Sequence, residues 1–224
     1  MASSKSKPQA KHSMFDLEKQ YIFYASYHNN PVNVLIHLIC IWNIAASGLV
    51  FFQYTPSLAP MPNIVEQYVG TGLNVNVALI LCLFYSAVYL RMEPFLGFVG
   101  EFFEPKLIHL VFDCLPLAAT LMWGAIYYKT GTWVASDAFF FGYPVLQVAI
   151  GVHVACWILQ FIGHGIFEGR APALLDSWDQ AFITAPLFVL MELALLFGYR
   201  RAFHEKCMVE VEKNIAEFRK KNSD

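Results

Sequence analysis

Four long apolar runs constrain this chain more than any other feature. Each has close to the length of about 20 residues that a helix needs to cross the apolar core of a bilayer. The runs cover residues 34–54, 73–91, 107–128 and 139–163. They predict an all-α fold, a polytopic membrane bundle with four transmembrane helices.

A fifth apolar segment, residues 181–199, contains Pro186 and Glu192 and is compatible with a span, a re-entrant helix or a surface helix. The composition agrees with a membrane protein, because 57% of the residues are hydrophobic and only 14% are charged. Soluble domains have about 45–50% apolar and about 25% charged residues. The net charge of -2 and the lack of a basic stripe predict that nucleic acid is not a partner.

The distribution of charge divides the chain and orients it. Residues 1–13 are predicted to be a disordered tail, residues 14–199 a membrane catalytic domain, and residues 200–224 a charged, helical cytosolic tail. Lysines precede the first apolar run, whereas the 55–72 loop has neither Lys nor Arg, so the N-terminus is predicted to be cytosolic. Alternating spans then bring four histidines to the cytosolic border: His28, His37, His109 and His164.

The first histidine stretch joins a predicted interfacial helix to the first apolar run. His28 and His37 are nine residues apart, a spacing that a continuous helix would turn to opposite sides. Pro31 disfavours a continuous helix, and Asn33 is predicted to cap the helix that follows. His28 is therefore expected to fold back toward His37.

The second stretch lies at the end of the fourth apolar run. A helix would place four of its residues on one stripe, at spacings of i, i+4, i+7 and i+11: His153, Trp157, Gln160 and His164. Because His153 lies deeper than the other histidines, it is the weakest candidate of the set. His109 and Asp113 form a further i, i+4 pair, in which the carboxylate could orient a ligating imidazole.

Clustered imidazoles with a few carboxylates are typical of sites for Fe, Zn, Cu or Ni. Two other interpretations stay open at this point. One is a membrane scaffold without enzymatic activity, whose histidines cap helix ends, and the other is a haem-binding bundle in which His37 and His164 face each other. A di-iron membrane hydroxylase is disfavoured, because the seven histidines do not form H-x-x-H-H-like clusters.

The two stretches also carry a family resemblance. Residues 27–37 read YHxNPxNxLIH, and residues 157–174 read WxxQFIGHGxFExRxPAL. Both blocks resemble the signatures of the endoplasmic-reticulum 2-hydroxy fatty acid dioxygenase family, over about residues 14–200. The resemblance implies an enzyme of phytosphingosine breakdown that uses Fe(II) and O2 to convert a 2-hydroxy fatty acid into the acid one carbon shorter.

Carried over position by position, the resemblance implies that His28, His37 and His164 are the iron-site histidines. His109 is added on the topological argument alone, because the middle of the chain matches the family weakly. The same resemblance implies residence in the endoplasmic-reticulum membrane. The topology places the metal site near the cytosolic face and the acyl chain of the substrate among the apolar helices.

Three further residues, within the second block or just after it, are predicted to take part in the reaction. The resemblance places Glu168 and Asp176 in the site as ligands or orienting groups. Arg170 is the nearest cation in the block and is expected to pair with the substrate carboxylate, or else to anchor the chain at the membrane border. The preferred acyl length and the oligomeric state are left open by the sequence.

Overall fold

The computed structural model describes most of the chain, with its largest gap at residues 93–114. The described residues are 15–69, 73–92, 115–172, 174, 177–178, 180–198 and 200–223. Both histidine stretches lie within them. The predicted tail at residues 1–13 lies outside the described residues, as do His109, Asp113 and Asp176.

The described residues form a helical bundle, which confirms the all-α prediction. The α-helices are α1 (Leu17–Tyr27), α2 (Pro31–Gln53), α3 (Asn63–Val69), α4 (Val77–Met92), α5 (Leu115–Ala135), α6 (Val145–Ile162), α7 (Ala185–Leu195) and α8 (Arg201–Ser223). The π-helix π1 (Gly163–Glu168) continues α6, and π2 (Gln180–Thr184) leads into α7. A short antiparallel hairpin, β1 (Phe139–Phe140) and β2 (Tyr143–Pro144), precedes α6.

The helices α2 and α6 form the central antiparallel pair. Near the end of α2, Val50 packs with Val145 and Ala149 at the start of α6. At the opposite end, a Cβ atom added to Gly163 would lie 2.5 Å from Oδ1 of Asn33. A side chain at position 163 would therefore push the two helices apart. This close approach brings the end of α6 onto the first turns of α2.

Three other helices complete the core around this pair. Tyr85 of α4 stacks on Trp123 of α5, with ring centroids 4.2 Å apart. Ala185 and Val189 of α7 pack with Ile41 of α2. Apolar and aromatic side chains of these three helices therefore pack around α2.

The helices α1 and α8 lie together at the end of the bundle where α2 begins. The hydroxyl of Tyr21 and Nδ1 of His204 form a hydrogen bond of 2.8 Å. Nζ of Lys206 lies 2.6 Å from the carboxylate of Glu18. Tyr21 also contacts Phe188 of α7, with ring centroids 5.9 Å apart. The charged tail is thus helical, as predicted, and it packs along α1.

Helix length supports two of the four predicted transmembrane spans. The helix α2 has 23 residues and the continuous α6–π1 segment has 24, and both are apolar enough to cross a membrane. The helix α4 has only 16 residues. Of the third run, residues 115–128 are described; they lie in α5, which continues through Lys129 to Ala135. The fifth segment forms the short apolar helix Ala181–Leu195.

Two helix starts differ from the prediction, each for a local reason. The cap of α2 is Asn30 rather than Asn33, because its Oδ1 accepts a hydrogen bond of 2.9 Å from the backbone N–H of Val32. Pro31 then fits the first helical position, where an N–H is not needed. The fourth run begins as a hairpin, because Gly142 adopts a left-handed φ of 82° that turns the chain before α6.

Candidate metal centre

Three buried histidines meet where α2 begins and α6 ends. The ring centroids of His28 and His37 are 4.3 Å apart, and each lies 4.9 Å from the centroid of His164. One ring nitrogen from each histidine can be chosen so that the three atoms all lie within 4.8 Å of one another. None of the three residues is more than 8% exposed. Three imidazole nitrogens at this spacing could hold one metal ion.

The break between α1 and α2 brings the first two histidines together. The helix α1 ends at Tyr27, and His28 leaves it with φ -132° and ψ 68°. Asn30 is extended, with a ψ of 125°, as required of a residue that precedes a proline. The helix break predicted from Pro31 is therefore present, and it turns His28 back toward α2.

Backbone carbonyls fix the tautomers of these two histidines. Nδ1 of His28 lies 2.7 Å from the carbonyl oxygen of Tyr24, and Nδ1 of His37 lies 2.9 Å from that of Asn33. A carbonyl oxygen can only accept a hydrogen bond, so each Nδ1 carries the hydrogen and each Nε2 keeps a lone pair. Metal-ligating histidines are commonly oriented in this way.

The cluster leaves buried nitrogen atoms unsatisfied. Nε2 of His28 and Nδ1 of His164 are buried, and neither has a hydrogen-bond partner within the described part of the chain. Such exceptions among buried polar groups call for a cause. Burial, followed by the proximity of His37 and His164, lowers the pKa of His28 well below its usual range, so this imidazole is neutral. A neutral imidazole with a free lone pair binds metals, and the residues present therefore fit a metal ion.

A change of helix type positions His164. The helix α6 is α-helical to Ile162, and π1 then continues from Gly163 to Glu168. A π-helical turn uses i→i+5 hydrogen bonds, so its side chains are rotated relative to an α-helical stripe. Gly169 ends the segment in the left-handed conformation, with a φ of 64°. Such turns are rare and occur frequently at functional sites.

The carboxylate of Glu168 ties π1 to the turn between α1 and α2. Oε2 accepts hydrogen bonds from the backbone N–H of Asn30 at 3.0 Å and from Nδ2 of Asn33 at 3.2 Å. The backbone N–H of Asn29 donates to both carboxylate oxygens, at 3.1 and 3.2 Å. Glu168 therefore links the two histidine stretches, and its role as a ligand or an orienting group stays a prediction.

Arg170 packs between aromatic rings beside the cluster. Its guanidinium carbon lies 3.4 Å from the ring centroid of Tyr27 and 4.4 Å from that of Phe218 on α8. Its Nη1 donates a hydrogen bond of 3.1 Å to the carbonyl oxygen of Ser26. Arg170 lines a separate cavity of about 230 Å³ together with Glu168. Its pairing with a substrate carboxylate stays a prediction.

His153 stands apart from the three clustered histidines. The indole Nε1–H of Trp157 donates to Nε2 of His153 at 3.1 Å, so Nδ1 carries the hydrogen and donates to Oγ of Ser47 at 2.9 Å. Both ring nitrogens are therefore occupied. Of the two histidines on the predicted stripe, only His164 reaches the cluster.

A small apolar pocket of about 40 Å³ opens in front of the histidines. Its lining includes Tyr24, Ile41 and Trp157. Tyr24 also stacks on His28, with ring centroids 4.2 Å apart. From the sequence, Tyr24 has no predicted site role, and Asn33 is predicted only as a helix cap. The available signal was their spacing, because each precedes a site histidine by four residues and orients it through its carbonyl.

The structure brings together three of the four histidines predicted to bind metal, namely His28, His37 and His164. The fourth, His109, lies outside the described residues, and so do its predicted partner Asp113 and the predicted orienting residue Asp176. Their roles stay predictions.

Comparison with known proteins identifies the family. The model of a family described as 2-hydroxy-palmitic acid dioxygenase Mpo1-like matches residues 14–197. This chain belongs to the Mpo1-like family. A Saccharomyces cerevisiae protein named 2-hydroxy-palmitic acid dioxygenase MPO1 is 27% identical to this Mpo1-like chain over 186 residues, which are 83% of this chain and 84% of the yeast protein. No solved structure matches the chain.

The family resemblance predicted from the two sequence blocks is thereby confirmed. The region that matches the Mpo1-like family contains both blocks and all three clustered histidines. The buried cluster therefore lies in the part of the chain that defines the family.

Proposed function

We propose that this chain is an Fe(II)-dependent dioxygenase that converts a 2-hydroxy fatty acid into the fatty acid one carbon shorter, in the degradation of phytosphingosine. The observation that carries the proposal is the convergence of three buried imidazoles, with unsatisfied nitrogens on His28 and His164. Membership of the Mpo1-like family and the name of the yeast relative support the substrate class.

The proposed reaction balances with one molecule of O2. The C2 carbon of the 2-hydroxy acid becomes the carboxyl carbon of the product, the C1–C2 bond breaks, and C1 leaves as CO2 together with one water. When bound, Fe(II) would supply the redox chemistry that couples O2 reduction to this bond cleavage. O2 and the 2-hydroxy acid are therefore the proposed reaction partners.

The residues of the chain orient the site and exclude water from it. His28, His37 and His164 would hold the metal, and the carbonyls of Tyr24 and Asn33 keep the first two rings in the tautomer with a free Nε2. The apolar lining of the pocket limits the access of water to the metal. Glu168 would keep the two halves of the site together.

A haem-binding bundle fits these residues poorly. The ring centroids of His37 and His164 are 4.9 Å apart, which leaves no room for a macrocycle between the two imidazoles. A scaffold without a metal would leave the unsatisfied nitrogens of His28 and His164 without a cause. The three-histidine metal site accounts for both observations.

We place this enzyme in the endoplasmic-reticulum membrane, with several spans and with the metal site near the cytosolic face. The apolar windows of α2 and α6–π1 are only 33% and 22% buried, whereas the core helix of a soluble protein is mostly buried. Outward-facing apolar side chains such as Leu35, Ile39 and Ile158 are at least half exposed. Membrane lipid is the solvent that suits such surfaces.

The test is the metal content and activity of His164→Ala in purified, detergent-solubilised protein. The wild type should contain about one iron per chain, show no Soret band and convert 2-hydroxypalmitate into the 15-carbon acid in the presence of O2. The variant should lose at least about 100-fold in turnover, because a metal ligand matters more than the outer partners, whose loss costs about 10–100-fold.

The variant His12→Ala, altered in the polar N-terminal tail, is the control and should behave as the wild type. Full turnover by His164→Ala with iron still bound would refute the proposed site. A wild-type protein with a Soret band would indicate haem, and one without any metal would indicate a scaffold.

A further inference from the structure

A second, larger apolar space adjoins the histidine pocket. It has a volume of about 460 Å³ and runs along α2 from Ile41 to Phe52. Side chains of α4, α5, α6 and the π2–α7 segment also line it, among them Leu81, Trp123 and Phe182. We call this space the acyl-sized groove, and it is open along part of its wall, where Phe52 and Phe182 are exposed.

The groove and the pocket in front of the histidines are adjacent and share part of their walls. Ile41, Trp157 and Ala181 line both spaces. Ile41 lies one helical turn beyond His37, so the junction is next to the metal centre. A ligand with its polar end at the histidines could therefore extend an apolar tail directly into the groove.

We propose that the acyl-sized groove binds the hydrocarbon tail of the 2-hydroxy acid and sets the chain length that the enzyme accepts. The proposal rests on the function proposed above, and it adds where the hydrocarbon tail binds and what limits its length. The carboxyl end lies at the three histidines, the chain passes Trp157, and the methyl end reaches the region of Phe52.

The length of the groove fits this occupant. His37 and Phe52 are fifteen residues apart on one continuous helix, which corresponds to about 22 Å at 1.5 Å per residue. An extended chain advances by about 1.3 Å per carbon, because C–C bonds of about 1.5 Å are set at tetrahedral angles, so sixteen carbons span about 19 Å. A 16-carbon 2-hydroxy acid therefore fits between the cluster and the end of α2.

The chemistry of the walls also fits a hydrocarbon. His153, a polar residue of the groove lining, has both ring nitrogens in hydrogen bonds with Trp157 and Ser47. It therefore presents carbon atoms to the space without an unsatisfied polar group. The same hydrogen bond from Trp157 orients its indole, which lines both the pocket and the groove.

Two small residues on α2 leave the groove open along its length. Ala45 and Gly48 both line it, at about 12 and 16 Å along α2 from His37. A Cβ atom added to Gly48 would meet only Cε1 of His153, at 3.9 Å, which is an ordinary contact. Larger side chains at these two positions should shorten the groove in a graded way.

The first test measures turnover of 2-hydroxy acids of 8, 10, 12, 14 and 16 carbons by Ala45→Phe and Gly48→Leu. Ala45→Phe should lower turnover of the 16-carbon acid at least tenfold while acids up to about nine carbons stay within about twofold of the wild type. Gly48→Leu should move the limit to about thirteen carbons, because it lies farther along α2.

Gly151→Phe is the matched control. Gly151 lies in α6, is exposed and has open space around it, so an aromatic side chain there should leave the length profile unchanged. An unchanged profile in both groove variants, with active wild-type enzyme, would overturn the groove assignment alone. A wild-type enzyme inactive on every 2-hydroxy acid would instead overturn the proposed function.

A second measurement on the wild type does not depend on how the variants fold. A 2-hydroxy acid of 16 carbons with a terminal diazirine should crosslink, on irradiation, to the segment 48–52 of α2, and a 10-carbon analogue should crosslink near Ala45. Crosslinks of both probes to outward-facing residues such as Ile150 and Val154, in place of these positions, would exclude the groove as the binding site.

Discussion

The two ends of the α2–α6 pair both contain buried polar side chains, but those side chains differ in what they contact. At the far end, where α2 ends and which lies opposite the histidine cluster, Nε2 of Gln53 donates to the carbonyl oxygen of Tyr127 at 3.0 Å and to Oγ1 of Thr130 at 3.3 Å. Its Oε1 accepts from Nδ2 of Asn76 at 2.9 Å. At the near end, the histidine cluster leaves nitrogens without such contacts.

This difference separates polar groups that stabilise the fold from those that are available for a ligand. A satisfied buried network fixes how helices pack, and Gln53 joins α2, α4 and α5 in this way. An unsatisfied buried nitrogen weakens the fold by about 1–3 kcal/mol unless something binds to it. The end with the three histidines is therefore less stable than it could be without a ligand, whereas the end with Gln53 has its polar groups satisfied.

Among the substitutions that test this comparison, Gln53→Ala should destabilise the protein most. It leaves the amide of Asn76 buried without its acceptor, whereas the carbonyl of Tyr127 keeps the hydrogen bond from Oγ1 of Thr130. This loss should lower the free energy of unfolding by about 2 kcal/mol. The iron content of the folded protein should not change. Thermal unfolding in detergent, together with metal analysis, measures both quantities.

Gln67→Ala is the matched control for this change, because Gln67 is an exposed residue of α3. Its unfolding temperature should stay close to that of the wild type. If Gln53→Ala lost iron without losing stability, the far end would have a role in the site and the comparison would be wrong.

The substitution Glu168→Gln should have a smaller effect, and at the other end of the pair. It keeps one acceptor oxygen but removes the negative charge. That charge strengthens the hydrogen bonds that Glu168 accepts from Asn29, Asn30 and Asn33. Because the turn that carries His28 is then held less firmly, iron affinity should fall about tenfold, at the low end of the effects of outer-shell partners. Competition with a chelator of known affinity measures this change.

An unaltered iron affinity in Glu168→Gln, combined with a lower unfolding temperature, would mean that Glu168 only stabilises the fold. A loss of iron as complete as that expected for His164→Ala would instead mean that Glu168 is itself a ligand. The two outcomes distinguish the roles that the sequence left open.

Much of the near end could be predicted from the sequence. The apolar runs predict the positions of most helices, and the helix break at Pro31 explains how His28 and His37 meet despite their spacing. The predicted stripe on α6 also ends at His164, which the structure brings into the cluster. These features depend on local backbone preferences and on the periodicity of side chains, which a sequence displays directly.

Other features depend on choices that the sequence does not display. Asn30 and Asn33 are both good caps, and the proline between them decides in favour of Asn30. The π-helix that rotates His164 needs only a shift of backbone hydrogen bonds, with no characteristic residue pattern. The groove beside Ala45 depends on how five helical segments pack. The hydrogen bond of Nδ1 of His153 depends on Ser47, which lies on another helix.

The smallest effect is expected for His153→Ala, and it tests the comparison within a single residue type. His153 lies between the two ends, and both of its ring nitrogens are hydrogen-bonded, to Trp157 and Ser47. The hydroxyl of Ser47 keeps its own bond to the carbonyl of Asn43, so the loss should be close to one hydrogen bond, or about 1 kcal/mol. Iron content should stay equal to that of the wild type, in contrast to His164→Ala. Equal loss of iron in the two variants would contradict the comparison. It would mean that hydrogen bonds to both ring nitrogens do not mark a histidine as structural in this bundle.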